Sequence, residues 1–376
     1  GSRRRPTTRH PKPANRMESG NANLLRTARQ LRGFQQGAAA QRLGVSQAML
    51  SRFENQLSGL TDDILQKAAE VYRLPVSFFR QPDPILGAPV SVHPMWRKKA
   101  SVSAREMDQI VAELNLRLMH LRRLLDAVEV EATHELPKLP IDEFGDAERV
   151  AGLVRAQWRL PQGPIANLTR AIEAAGVIVV HSILSGSKVD GVTFRAPGLP
   201  PLVVLNSDQP ADRMRFTLAH ELGHLVMHHA QPTQNMEQEA NEFASALLMP
   251  ARDIRPYFTR RVDLRLFAEL KPLWRVSMAS LLMRARSLGA LAYNQERYLW
   301  QQFSIAKIRQ NEPPELDFAP EVASTLPELI EAHIQQLGYS IADLASLLHV
   351  EPPELATLYG MNITREQNTP HLRLVK

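Results

Sequence analysis

Between Arg213 and Pro250 the chain reads RMRFTLAHELGHLVMHHAQPTQNMEQEANEFASALLMP. Its centre, His220-Glu221-Leu222-Gly223-His224, constrains the surrounding chain more than any other stretch. On a helix, residues i and i+4 share a face, so both imidazoles can reach one ion. Glu221 follows the first histidine directly. From there it can reach a water at the ion's open position without binding the ion, which suits a general base. Leu218, Ala219, Leu222, Leu225 and Val226 make the other faces apolar, so this helix is expected to be buried.

Hydrolytic zinc takes three protein ligands and keeps a fourth position open, so a third donor is needed. A second helix rich in carboxylates is expected after a short polar loop, Ala230 to Gln234. Its Glu237 and Glu239 point roughly opposite ways, so both cannot be ligands. Glu237 is favoured, because Asn241 lies at i+4 and would then face a ligand histidine from behind. His228 extends the HxxxHxxxH face. It is either a rival third ligand or a helix-end histidine.

Together, RMRFTLAHELGHLVMHH and EQEANEFASALLMP resemble the ImmA/IrrE family of zinc metallopeptidases, densely from about Gly176 to Pro250. The resemblance implies Zn2+ as cofactor, His220, His224 and Glu237 as metal ligands, and Glu221 as catalytic base. It also implies a bacterial cytoplasmic protein with a protein substrate, since several members cleave helix-turn-helix repressors. It does not identify the protein cut. No oxyanion donor is evident; His229 and Tyr257 are the available guesses.

Charge is uneven along the chain. The first hundred residues hold 17 Lys and Arg against 6 Asp and Glu, whereas the other 276 hold 28 against 33. A basic front on a near-neutral body suits contact with nucleic acid. Within it, residues 21–80 read as four or five short helices. Gly33 breaks the first, and the second runs from Gln36 to Leu43 and ends at Gly44. Ser46 caps a third from Gln47 to Asn55, with Met49, Leu50 and Phe53 turned inward. A fourth starts at Thr61-Asp62-Asp63 and buries Ile64, Leu65, Ala68 and Val71.

The wording LRTARQLRGFQQGAAAQRLGVSQAMLSRFEN is similar to XRE-type helix-turn-helix domains. That resemblance puts Gln36, Ser46, Gln47, Ala48, Ser51 and Arg52 at the DNA. Gln47 is suited to an adenine edge, Arg52 to a guanine or a phosphate, and Gln36 to a backbone phosphate. In two places the sequence departs from the XRE pattern: GAAA replaces bulkier second-helix residues, and Gln56-Leu57 stands where a glycine turn is usual.

The expected fold class is α+β and mostly α: a helix-turn-helix domain, a zincin-like peptidase domain with a small sheet and the HExxH helix, and a helical C-terminal region. Residues 1–20 form a basic tail expected to be disordered, 21–80 the DNA-binding domain, and 81–160 a Pro-rich linker and a long helix. The basic run Trp96 to Lys99 precedes that helix. Ser103 and Glu106 suggest a capping box, and Ile110, Leu114, Leu118, Leu121 and Leu125 suggest a stripe for packing or dimerisation. Residues 161–255 hold the peptidase domain, with strands at Val177–His181, Asp190–Arg195 and Leu202–Leu205. Residues 256–310 and 311–376 are a helical extension and a small helical domain, expected to dock on the body or a second chain rather than on DNA.

Cysteine is absent, which excludes disulfides and thiolate metal sites. No apolar run is long enough for a membrane span, and no secretory leader is expected. The function read from this pattern is a DNA-binding zinc metalloprotease that cuts a transcriptional repressor or similar regulator in a stress or DNA-damage response. The alternative is a non-proteolytic transcriptional regulator whose peptidase-like domain senses a ligand or partner. A homodimer is expected, because such DNA-binding domains read paired half-sites.

Overall fold

The computed structural model describes residues 20–87, 103–184, 189–229, 234–309 and 311–361. The N-terminal tail, the Trp96–Lys99 run, the loop at 230–233 and residues 362–376 lie outside the described residues. The protein is mostly helical with a three-stranded sheet, as its sequence indicates. Among the described residues no helix is long and apolar enough to cross a membrane.

Helices α1 (Ala22–Leu31), α2 (Gln36–Leu43), α3 (Gln47–Glu54) and α4 (Asp62–Tyr72) begin and end at local signals. Asn21, Ser46 and Thr61 each accept a backbone N–H at a helix start, and Gly44 ends α2 at φ 70°. Gln56 takes the left-handed turn after α3 at φ 61°, the place where the XRE pattern usually has glycine. Buried Glu54 accepts two bonds from Arg29 and one from Gln36, tying the first three helices together. Met49 corrects the expectation of three inward residues: it is 41% exposed, while Leu50 and Phe53 are buried. Val71 is only partly buried, and Tyr72 beside it is buried in its place.

Ser103 and Glu106 form the expected capping box on α5 (Ala104–Leu125). Ile110, Leu114, Leu118 and Leu121 are buried within the chain itself, against α1 and the C-terminal helices. The stripe is therefore a packing surface here. After α6 (Ile141–Phe144), α7 (Ala147–Gln157) and α8 (Leu168–Glu173) come strands β1 (Ile178–Ser182), β2 (Gly191–Phe194) and β3 (Leu202–Asn206). They lie in the order β1-β3-β2, with β1 parallel and β2 antiparallel to β3. In register, His181 faces Leu205 and Thr193 faces Val203.

Side chains of a strand alternate between faces, and here the two faces enter different cores. Ile178, Val180, Val192, Phe194, Leu202 and Val204 join the core that also holds Leu25, Leu50, Leu114 and Leu344. Val179, Val203 and Leu205 join a second core, built by a layer of helices on the sheet's other face. That second layer contains α9 (Ala211–Met227), α10 (Met236–Leu248), the short α11 (Ala251–Ile254), α12 (Leu264–Trp274), α13 (Met278–Ser287) and α14 (Tyr293–Ile305). The C-terminal helices α15 (Thr325–Gln335), α16 (Ile341–Leu348) and α17 (Pro352–Tyr359) return to the first core. There α15 packs on β1 and α16 on α5.

The segment leading to α15 is held by buried charges. Lys271 donates to Asp212 and Glu312, Arg215 pairs with Glu321, and Glu173 accepts from the backbone N–H groups of Ser324 and Thr325. Arg215 thus has a structural role, and Arg213 pairs with Asp190 at the sheet–helix junction.

Candidate metal centre

Helix α9 enters from β3 through Pro210 and is buried along most of its length. Its i, i+4 spacing brings His220 and His224 together, with their Nε2 atoms 3.0 Å apart. The third group comes from the first turn of α10. Glu237 sets one carboxylate oxygen 3.5 Å from His220 Nε2 and the other 3.3 Å from His224 Nε2. One donor atom from each of the three residues lies within 4.8 Å of the others. Two imidazole nitrogens facing each other beside a carboxylate, away from bulk water, fit a divalent cation. Glu237 Oε1 supports this fit, because it is buried without a hydrogen-bond donor of its own.

Gly223 makes this approach possible. A Cβ there would lie 3.0 Å from the Phe243 ring and 3.3 Å from the Ala240 Cα, so the bare backbone lets α10 sit against α9. The electrostatics agree with the geometry. Burial alone would raise the Glu237 carboxyl and depress His220. Instead, the two imidazoles beside it hold Glu237 at about 2, and Glu237 with Glu221 raises His220.

Glu221 is buried beside this cluster, and its Oε2 accepts a 2.6 Å hydrogen bond from Thr193 Oγ on β2. Asn241 Oδ1 lies 3.0 Å from His220 Nδ1, from the helix and the side expected. Glu239 is turned to His228 (2.9 Å), and His228 in turn to His224 Nδ1 (2.9 Å). The cluster therefore contains Glu237 rather than Glu239 or His228. Of the two residues offered as oxyanion donors, His229 contacts Arg195 and the Val226 carbonyl, and Tyr257 packs edge-on against Trp274.

Sequence reasoning missed two residues. Arg195 donates to the carbonyls of His224 and Leu225, where a cation complements the helix's negative end. Thr193 carried a readable signal: in Gly191-Val192-Thr193-Phe194, period-two alternation puts the small Gly191 and the polar Thr193 on one face. That face meets α9, where a Cβ on Gly191 would lie 2.6 Å from the Thr217 side chain.

At the other end of the molecule, Ser46, Gln47, Ala48 and Arg52 are exposed on and before α3, and Ser51 is half-buried. Ser46 spends its hydroxyl on the Met49 N–H, Arg52 donates to Ser58, and the Gln36 amide donates to Glu54. Gln47 and Ala48 are exposed at the start of α3.

Two protein-family models match the chain. The peptidase family model described as the IrrE N-terminal-like domain matches residues 172–286, from the end of α8 through α13. A helix-turn-helix model matches residues 25–79. No curated protein matches the chain.

Proposed function

We propose that this chain, in which an XRE-type helix-turn-helix domain is joined to an IrrE-like domain of a metallopeptidase family, is a DNA-binding zinc metalloendopeptidase. The observation that carries this reading is the convergence of His220, His224 and Glu237 with Glu221 buried beside them. Two histidines and a carboxylate form a donor set suited to hydrolytic zinc with an open position. Zinc held there would supply Lewis-acid polarisation of a water and of the scissile carbonyl. Glu221 takes the proton of the attacking water and delivers it to the leaving amine. Thr193 holds the Glu221 carboxylate in place for that transfer, and Asn241 fixes the His220 ring.

The substrate in this reading is a regulatory protein, cut in the bacterial cytoplasm during a stress or DNA-damage response. The N-terminal domain places the enzyme on DNA through Gln47, Ala48, Ser51 and Arg52, with Gln36 at the start of α2 and Ser46 at the start of α3, and a homodimer would read paired half-sites.

The test is metal content with cleavage. Wild type should carry about one zinc per chain, and His220→Ala and Glu237→Ala should carry none. Glu221→Gln should keep zinc and lose cleavage by at least about 100-fold. Wild-type chain that takes up no zinc when offered it would sink the proposal.

The shared core of the sheet and the DNA-binding helices favours a second reading: a regulator whose peptidase fold senses a ligand or partner without cutting. In that case the DNA response to an effector is the same in Glu221→Gln as in wild type.

A further inference from the structure

Behind the candidate metal centre runs a chain of side chains that the reaction itself does not use. His224 presents Nε2 to Glu237 and His220, and its other nitrogen, Nδ1, lies 2.9 Å from His228 Nδ1. The far nitrogen of His228, Nε2, lies 2.9 Å from Glu239 Oε2. His228 is the C-cap of α9, with φ −107° and ψ 82°. Leaving the helical path there lets its ring come up behind His224 rather than continue the face of the two ligands. The His228 and Glu239 side chains are only 10% and 20% exposed, so water screens the contact weakly.

We propose that His228 and Glu239 are positioning residues for the metal, acting through His224. The proposal rests on the reading of His220, His224 and Glu237 as ligands. A ligand imidazole that uses Nε2 carries its proton on Nδ1. Among the described residues the acceptor that faces this proton is His228 Nδ1. His228 must therefore present a bare Nδ1 and carry its proton on Nε2, which donates to the Glu239 carboxylate. Reversing either step puts two protons, or two lone pairs, face to face.

The two ligands are thus backed unequally. His220 leans on a neutral amide, Asn241, whereas His224 is linked through a second imidazole to a carboxylate. The relay fixes the His224 ring, sets its tautomer and raises electron density at Nε2. It also gives Glu239 and His228 a role that excludes both as ligands. Partners of this kind change metal affinity by about 10- to 100-fold when removed.

The experiment is a zinc titration of the full chain against a competing chelator, with 15N NMR of the histidine rings. His228→Ala should weaken zinc binding by about 10- to 100-fold. Glu239→Gln keeps an oxygen acceptor for His228 but loses the charge, so its loss should be smaller, about three- to tenfold. His228→Gln, whose amide oxygen can accept from His224, should recover part of the loss seen with alanine, which mere filling of space would not do. Glu242→Gln, an exposed acid one turn along α10, should bind zinc like wild type, and all variants freed of metal should unfold close to the metal-free wild-type denaturant midpoint. In zinc-loaded wild type, NMR should show His228 protonated at Nε2 only. Zinc binding in wild type that is unchanged in His228→Ala and Glu239→Gln, or a His228 protonated at Nδ1, overturns this proposal alone. Absence of zinc in wild type overturns it together with the metal reading.

Discussion

Single atoms decide the chemistry at the candidate centre, and the least conspicuous is Thr193 Oγ. In the proposed reaction a buried carboxylate moves a proton, so it must be held by a donor that leaves its second oxygen available. The Thr193 hydroxyl meets that need at 2.6 Å from Oε2 of Glu221. Thr193→Val keeps the shape and removes the donor. It should leave zinc content unchanged and lower kcat by roughly 10- to 100-fold, the scale expected when a catalytic group loses its orientation. Metal analysis and cleavage rates on the same preparation would check this; unchanged turnover would refute it.

A second residue-level prediction concerns His120 on α5. It is fully buried, with Nδ1 2.6 Å from the Tyr359 hydroxyl. Burial, with the positive charges of Arg117 and Arg123, lowers its pKa to about 3. The unfolded chain, with an ordinary histidine pKa, therefore takes up this proton first as pH falls. His120 contributes no pH dependence above about 6.5. Between there and about 3 it costs stability, by up to about 1.4 kcal/mol per pH unit. Urea midpoints at pH 7.5 and 5.0 should fall less in His120→Gln than in wild type. Equal falls would show that the ring takes no part.

Elements carry the next level of constraint. Helices α9 and α10 cross closely only because Gly223 has no side chain. Exchanging it for alanine gains helix propensity, about 1 kcal/mol, and loses a comparable or larger amount to the clash with Phe243 and Ala240. Stability thus changes little, while α10 must shift by some tenths of an ångström and carry Glu237 with it. Gly223→Ala should weaken zinc binding by about tenfold with only a small change in melting temperature. A chelator titration would detect this, and wild-type affinity would show that α10 does not set the third ligand's position. Strand β2 works in the same way: Gly191 lets it approach α9, and that approach delivers Thr193.

At the scale of the molecule, the sheet is a partition with the helix-turn-helix segment on one side and helices α9 and α10 on the other. The C-terminal helices bind this arrangement together. Leu326, Leu329, Ile330, Leu344, Leu348 and Leu355 are buried in the first core, and Arg32 after α1 pairs with Glu354 on α17. Each such apolar side chain is worth about 1.5–3 kcal/mol when buried, so together they are as large as the net stability of a typical domain. A chain cut after residue 318 should therefore lose cooperative unfolding of its N-terminal helices and bind DNA poorly. Calorimetry and a DNA titration would check both. A truncated chain that melts like the full one would mean that the DNA-binding helices stand alone.

Local rules fix what the sequence determined alone. The His220–His224 spacing follows from helix pitch, the caps at Ser46, Thr61 and Ser103 from the need of free N–H groups for an acceptor, and the three strands from their apolar runs. Glu237 and Glu239 point opposite ways on a helix, and Asn241 at i+4 favours Glu237. The tertiary structure alone decided what depends on distance between separate segments. No periodicity in α9 or α10 says that His228 and Glu239 meet behind His224, because their contact spans the turn between two helices. Nor does the α5 stripe say whether it faces its own chain or a second copy, since an apolar surface is satisfied by either. Met49, spaced like a core residue, ends up exposed because α3 needs only Leu50 and Phe53 to fill its seat against the other helices.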